Sequence, residues 1–114
     1  MLHFETINAS TLELLKRFQK LDIAAMKLAA ITGRGTKKDF IDLAFLLQEF
    51  SLQQMLDFYA QKYPDGAEFL VLKSLGYFAD ADIEPMPVML RDWDWNQVKE
   101  TIKMNLDDYL DKLS

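Results

Sequence analysis

The apolar positions recur at spacings of three and four along almost the whole chain, the period of an amphipathic helix. Leu12, Leu15 and Phe18 share one face of a segment running from about Thr11 to Lys20. Ser10-Thr11-Leu12-Glu13 before it reads as a capping box, in which a hydroxyl and a glutamate satisfy each other's backbone donors. A second segment, Ile23 to about Thr32, is rich in alanine, leucine and methionine and can be capped by Asp22. Nothing between Gln19 and Asp22 forces a break, so one fused helix is the alternative. Gly33-Arg34-Gly35 stops it. Thr36 with Asp39 opens a third helix, ending near Phe50 and apolar over most of its circumference, hence central. Ser51 with Gln54 caps a fourth, carrying Leu56, Phe58 and Tyr59. Tyr63-Pro64-Asp65-Gly66 is a turn, and a fifth helix follows from Phe69 to Phe78. Residues Ala79 to Pro87 are acidic and contain proline, the composition of an exposed loop. Asp92 or Asp94 caps the last helix, where Trp95, Val98, Ile102, Leu106, Tyr109 and Leu113 form a stripe. Leu2 to Ile7 is the one weak strand candidate. The pattern predicts an all-α bundle of five or six helices in a single domain, residues 1–114, with no internal repeat or linker.

Composition narrows the chemistry. The chain has 114 residues, half of them apolar, which is enough to bury a core without cross-links. There is no cysteine, so disulfides, thiolate metal sites and cysteine nucleophiles are excluded. The single histidine, His3, argues against a histidine-rich metal site or a Ser-His-Asp triad. A net charge of −5 and the lack of a basic helix argue against DNA binding. No apolar stretch approaches the roughly 20 residues that span a bilayer. The N-terminal MLHFETINAS has no basic region of a secretory signal, so the cytoplasm is the expected location.

Three clusters are candidates for function. Lys27 lies in an apolar helix, where a lysine reaches a phosphate or, more ordinarily, extends its ammonium to water past a buried stem. Gly33-Arg34-Gly35-Thr36-Lys37-Lys38 brings glycines, cations and a helix start together, a combination that favours an anion but is not a Walker motif. Asp39 and Asp42 lie three apart and share a helix face. Asp39 is explained by its place in the first turn. Asp42, in a helix expected to be mostly buried, needs a partner, and Lys27, Arg34 or Lys38 can supply one. Asp80-Ala81-Asp82 and Asp92-Trp93-Asp94 have a spacing that can hold magnesium, yet the first lies in a loop and the second reads as capping. Trp93 and Trp95 read as packing residues before base-stacking ones.

The segments Asp22-Ile23-Ala24-Ala25-Met26-Lys27, Gly33-Arg34-Gly35 and Lys38-Asp39-Phe40-Ile41-Asp42, in this order and spacing, resemble the later half of the pattern of the nucleotidyltransferase AbiEii/AbiGii toxin family. The likeness extends more loosely to about Lys99, and Met1 to about Lys20 resembles that family's N-terminal helix. The resemblance implies that Lys27 contacts a phosphate, that Asp42 with Asp39 and Lys38 forms an acidic element of a nucleotide pocket, and that Arg34 is a supporting cation. The family places a Gly-Gly turn and an Asp-x-Asp on a sheet between these two parts, where the carboxylates hold the metal. Here Lys20 runs straight into Leu21 and Asp22. Nucleotidyl transfer depends on metal held at the triphosphate. The resemblance therefore implies a non-catalytic helical remnant without a cofactor, in which Lys27, Arg34, Lys38, Asp39 and Asp42 are vestiges of the pocket. Apolar helix faces left without the sheet imply a homodimer or another protein partner. The alternatives are a module that still binds nucleotide and a toxin subunit completed in trans.

Overall fold

A computed structural model describes residues 8–88 and 92–114. The weak strand candidate Leu2 to Ile7 and His3 lie outside the described residues. The rest is helical: α1 spans Ala9–Arg34, α2 Lys37–Leu46, α3 Leu52–Lys62, α4 Glu68–Leu75, α5 Ala79–Asp82 and α6 Trp95–Leu113, with no strand among the described residues. The expected all-α bundle is what the chain forms.

The first two expected helices are one. α1 runs unbroken for 26 residues, and Asp22 caps nothing; mid-helix, it accepts an ion pair from Lys62 of α3 at 3.0 Å. The helix also starts earlier than the Ser10 capping box implied. Asn8 is the N-cap, and its side-chain oxygen accepts from the Thr11 amide at 2.8 Å. Asparagine is as good a cap as serine, and taking it two residues upstream adds helical hydrogen bonds.

The other termini follow local chemistry closely. Thr36, Ser51 and Asp94 each cap a helix through a complete capping box, with Asp39, Gln54 and Gln97 as the reciprocal partners. Of the two aspartates that could start the last helix, Asp94 does so. The Tyr63–Gly66 turn is closed by the Gly66 amide donating to the Tyr63 carbonyl at 2.9 Å. Three elements differ from expectation. α2 ends at Leu46, and Leu47 to Phe50 continue as a tight turn that still buries Leu47 and Phe50. α4 stops at Leu75, where Gly76 interrupts it. Ala79 to Pro87 is not a plain exposed loop: it contains the one-turn helix α5, and Ala81 is buried.

α1 is the spine. It packs on α2, α3 and α4, and α6 crosses the far side against α2, α3 and α4. The core is built from Leu21, Ala24, Ala25, Leu28 and Ile31 of α1, Phe40 and Leu43 of α2, Met55 and Leu56 of α3, Val71 and Leu75 of α4, and Val98 and Ile102 of α6. The α1–α2 junction is tight. A Cβ on Gly35 would stand 2.7 Å from the Phe40 ring, so only glycine lets α2 fold back this closely.

The first half of α1 is different. Every residue from Ala9 to Lys20 is exposed, and α1 projects from a molecule 51 Å long but only 24 Å across its shortest axis. Phe18 meets the bundle at Phe58, with ring centres 5.8 Å apart and the planes tilted by 35°. Tracing α1 at 100° per residue shows two apolar faces. One carries Leu21, Ala24, Ala25, Leu28 and Ile31 into the core. On the opposite side Leu12, Leu15, Gln19, Ile23, Met26 and Ala30 line up without a charge, and all are exposed, Ile23 by 47% and Met26 by 50%.

Candidate functional site

α1 and α2 form a helical hairpin through Gly35 and Thr36, and this places Lys27 of α1 beside the first two turns of α2. Its ammonium donates to Asp39 Oδ1 at 3.1 Å and meets Asp42 Oδ2 at 2.9 Å. The spacing of the two aspartates makes this possible: three residues apart, they project from one face. The Asp42 hydrogen bond raises the Lys27 pKa, partial burial opposes it, and Asp39 adds to the rise. Asp39 has a second duty. Its other oxygen accepts from the Thr36 hydroxyl at 2.9 Å and from the Thr36 amide at 3.4 Å, the second of which closes the α2 capping box. Asp42 is less buried than its place between Ile41 and Leu43 implied; about a third of its side chain is exposed.

Of the five residues singled out from the sequence, the fold gathers three: Lys27, Asp39 and Asp42 form one ion-pair cluster. Arg34 and Lys38 are exposed and make no ion pair among the described residues. The expected anion position at the start of α2 is filled from within. Glu84, which follows α5, places a carboxylate oxygen 2.5 Å from the Lys37 amide. A carboxylate at a helix N-terminus satisfies a free donor and the helix dipole together.

Lys37, read in the sequence only as one cation of the Gly33–Lys38 run, is the one buried charged residue among the described residues, 6% exposed. Its ammonium donates to the Glu84 carbonyl at 2.6 Å and sits 4.8 Å from the centre of the Trp95 ring. Trp95 is the hub of this second cluster. Its ring meets Phe40 and Phe78 edge-on at 6.2 and 6.0 Å, and its indole N–H donates to Asp82 at 2.6 Å. Lys99, 5.7 Å above the same ring, donates to the same carboxylate oxygen at 3.1 Å. These two donors hold the Asp82 carboxyl below its ordinary range, the indole contributing most. Trp95 is therefore a packing residue, as its position predicted, and Asp82 of the Asp80-Ala81-Asp82 motif is engaged as an anchor. No group of three or more potential metal-ligating side chains exists among the described residues. The signal that could have revealed this cluster is weak: a lysine at the first position of a helix, where a carboxylate from 47 residues downstream arrives.

Comparison with known proteins agrees with the residue pattern. The profile of the nucleotidyl transferase AbiEii toxin family, of type IV toxin–antitoxin systems, matches residues 19–113. An uncharacterised protein of Aquifex aeolicus (strain VF5) is 38% identical over 98 residues, which cover 79% of this chain and 44% of that protein. The chain thus spans less than half the length of this curated relative. No solved structure matches it. No helix among the described residues is long and apolar enough to cross a membrane. With Lys27, Asp39 and Asp42 drawn together from the segments that carry the likeness, and with the family match running through nearly all of the bundle, the chain belongs to the AbiEii nucleotidyl transferase toxin family.

Proposed function

We propose that this chain works by protein association, as a helical member of the toxin family that does not transfer nucleotides by itself and that pairs with a second copy through the outer face of α1. One observation carries the reading: the charge-free stripe from Leu12 to Ala30, which extends about 27 Å along the helix and is exposed throughout. Apolar surface on this scale is normally covered by association. Four of the charges that flank it have partners within the chain. Lys16 lies 3.9 Å from Glu13, Lys20 and Asp22 each have a partner at 3.0 Å, in Glu49 and Lys62, and Lys27 has two carboxylates. Two such faces meet without the like-charge repulsion that unpaired lysines would impose.

The non-catalytic part rests on commitments already made by the side chains. Lys27, the lysine that the family likeness assigns to a phosphate, is bound by two aspartates. The helix end that would attract a phosphate holds Glu84. Asp82 is tied to Trp95 and Lys99. A second reading, a surviving nucleotide-binding module, draws on Arg34 and Lys38, two exposed cations at the α1–α2 junction with no ion pair among the described residues. Nucleoside triphosphate binding measured by calorimetry with magnesium separates the two readings, the first expecting no heat. Sedimentation velocity tests the association: a dimer is expected, converted to monomer by Ile23→Glu or Met26→Glu, both at exposed positions where the fold tolerates a charge. A compact monomer at every concentration would overturn it. Label transferred from a nucleoside triphosphate by the purified chain would overturn the non-catalytic reading.

A further inference from the structure

A cleft of about 410 Å³ lies where the C-terminal end of α1, α4 and the start of α5 meet, and neither Lys27 nor its aspartates line it. Its volume falls in the range of small-molecule sites. Its polar lining is lopsided. Thr32 donates its hydroxyl hydrogen to the Ala29 carbonyl at 2.6 Å, and Ser74 donates to the Leu70 carbonyl at 2.7 Å. Both hydroxyl oxygens are left able only to accept. The Asp80 carboxylate on the wall has no ion-pair or hydrogen-bond partner among the described residues, in contrast to Asp82 two positions on. No backbone amide from the following loop bonds back to the last four carbonyls of α1, the negative end of the longest helix in the fold. Against these acceptors stands one cation, Lys73 of α4, also without an ion-pair partner among the described residues. Leu70 and Tyr77 supply an apolar wall, both substantially exposed.

Acceptors concentrated at a helix C-terminus, with a free carboxylate, call for a ligand rich in N–H donors. A neighbouring free lysine calls for an anionic group on the same ligand, and the apolar wall for a hydrocarbon body. From this complementarity we infer that the cleft binds a small zwitterion of the apolar α-amino acid class. Its ammonium is received by Thr32 at the end of α1, Ser74 of α4 and Asp80 of α5, its carboxylate by Lys73, and its side chain by Leu70 and Tyr77. The inference is independent of the dimer, because none of these residues belongs to the outer face of α1.

The test is calorimetric titration of the full chain with L-leucine and L-tyrosine. Binding is expected for at least one of them, lost for its N-acetyl derivative, which has no ammonium, and weakened at least about tenfold by Asp80→Asn or Lys73→Met, the effect of removing one charge-assisted hydrogen bond. Both side chains are exposed and unpaired among the described residues, so the variants should melt as the parent does; the N-acetyl comparison needs no variant at all. Absence of heat with either amino acid at about 10 mM, the weak limit of specific small-ligand recognition, would overturn the inference. So would equal binding of the N-acetyl derivative, or displacement of the amino acid by magnesium-ATP.

Discussion

Lys27 and Lys37 lie one helix turn-around apart and both stand where α1 and α2 meet their neighbours, but the fold uses them in opposite ways. Lys27 is partly exposed and faces two carboxylates, one of which also caps a helix. Lys37 is buried, has no carboxylate within ion-pair distance among the described residues, and spends its charge on a backbone carbonyl and an indole face. A lysine facing carboxylates near the surface contributes modestly and is screened by salt. A buried lysine that also fixes a loop has consequences for packing. The residues that look like chemistry are therefore held by the weaker interactions, and the Lys37 cluster ties α5 and the loop after it to α2 and α6.

The sharpest way to break this contrast is through Trp95. Truncation to alanine removes the ring that Phe40, Phe78, Lys37 and Lys99 all contact. Large aromatic deletions cost about 3–5 kcal/mol in cores; because Trp95 is only partly buried, a loss of about 3 kcal/mol is expected in urea unfolding. A loss below about 1 kcal/mol, the level of an ordinary surface change, would show that α5 and its loop are not anchored there.

Next in size is the comparison between the lysines themselves. Lys37→Met keeps the buried stem but leaves the Glu84 carbonyl unbonded, and should cost about 2 kcal/mol with little dependence on salt. Lys27→Met leaves Asp39 and Asp42 on one helix face without their cation, and should cost about 1 kcal/mol, shrinking as salt is added. The Lys27 effect also has a pH signature. Its pKa is raised in the native state, so its contribution is complete below the ordinary lysine range and is lost as pH climbs through the raised native value. Equal costs and equal salt dependence for the two variants would erase the distinction.

The sequence made one of these clusters readable and hid the other, for a physical reason. Thr36 with Asp39, Ser51 with Gln54 and Asp94 with Gln97 are contacts between residues three apart, and short-range chemistry specified each. The Lys27 cluster was accessible because helical spacing puts Asp39 and Asp42 on one side and a glycine-bounded turn returns α2 to α1. Which cation would partner Asp42 was open among three, and hairpin geometry chose Lys27. Whether α1 would break at Asp22 was equally open, since local propensity allowed both outcomes; the burial of Leu21, Ala24, Ala25 and Leu28 along one unbroken face of α1 favours continuity. The Lys37 cluster depends on Glu84 meeting the start of α2 and on α6 bringing Trp95 over both. No periodicity encodes a contact across so many residues. The composition of Ala79 to Pro87 spoke only for exposure, because its anchors, Asp82 and Glu84, are the very residues that make it look solvated.

The finest test of the contrast uses Asp82, an exposed carboxylate that nevertheless belongs to the structural cluster. The Trp95 N–H and the Lys99 ammonium both favour its charged form, so its pKa is lower in the native state than in the unfolded chain. The unfolded chain then binds more protons in the acid range, and stability rises with pH there. The contribution of Asp82 is complete above the ordinary carboxylate range and is lost as pH falls through that range towards the lowered native value. Asp82→Asn keeps an acceptor for the indole but removes the charge. The parent should exceed this variant in urea midpoint at pH 6, and the difference should shrink on acidification to pH 3. Asp80→Asn, at a carboxylate without a partner among the described residues, should show no such convergence. A parallel pair of curves for Asp82→Asn would mean that the carboxylate is held by position alone. In that event the neutral indole–carbonyl hydrogen bond, rather than the charge shared with Lys99, is what fastens α5 to α6.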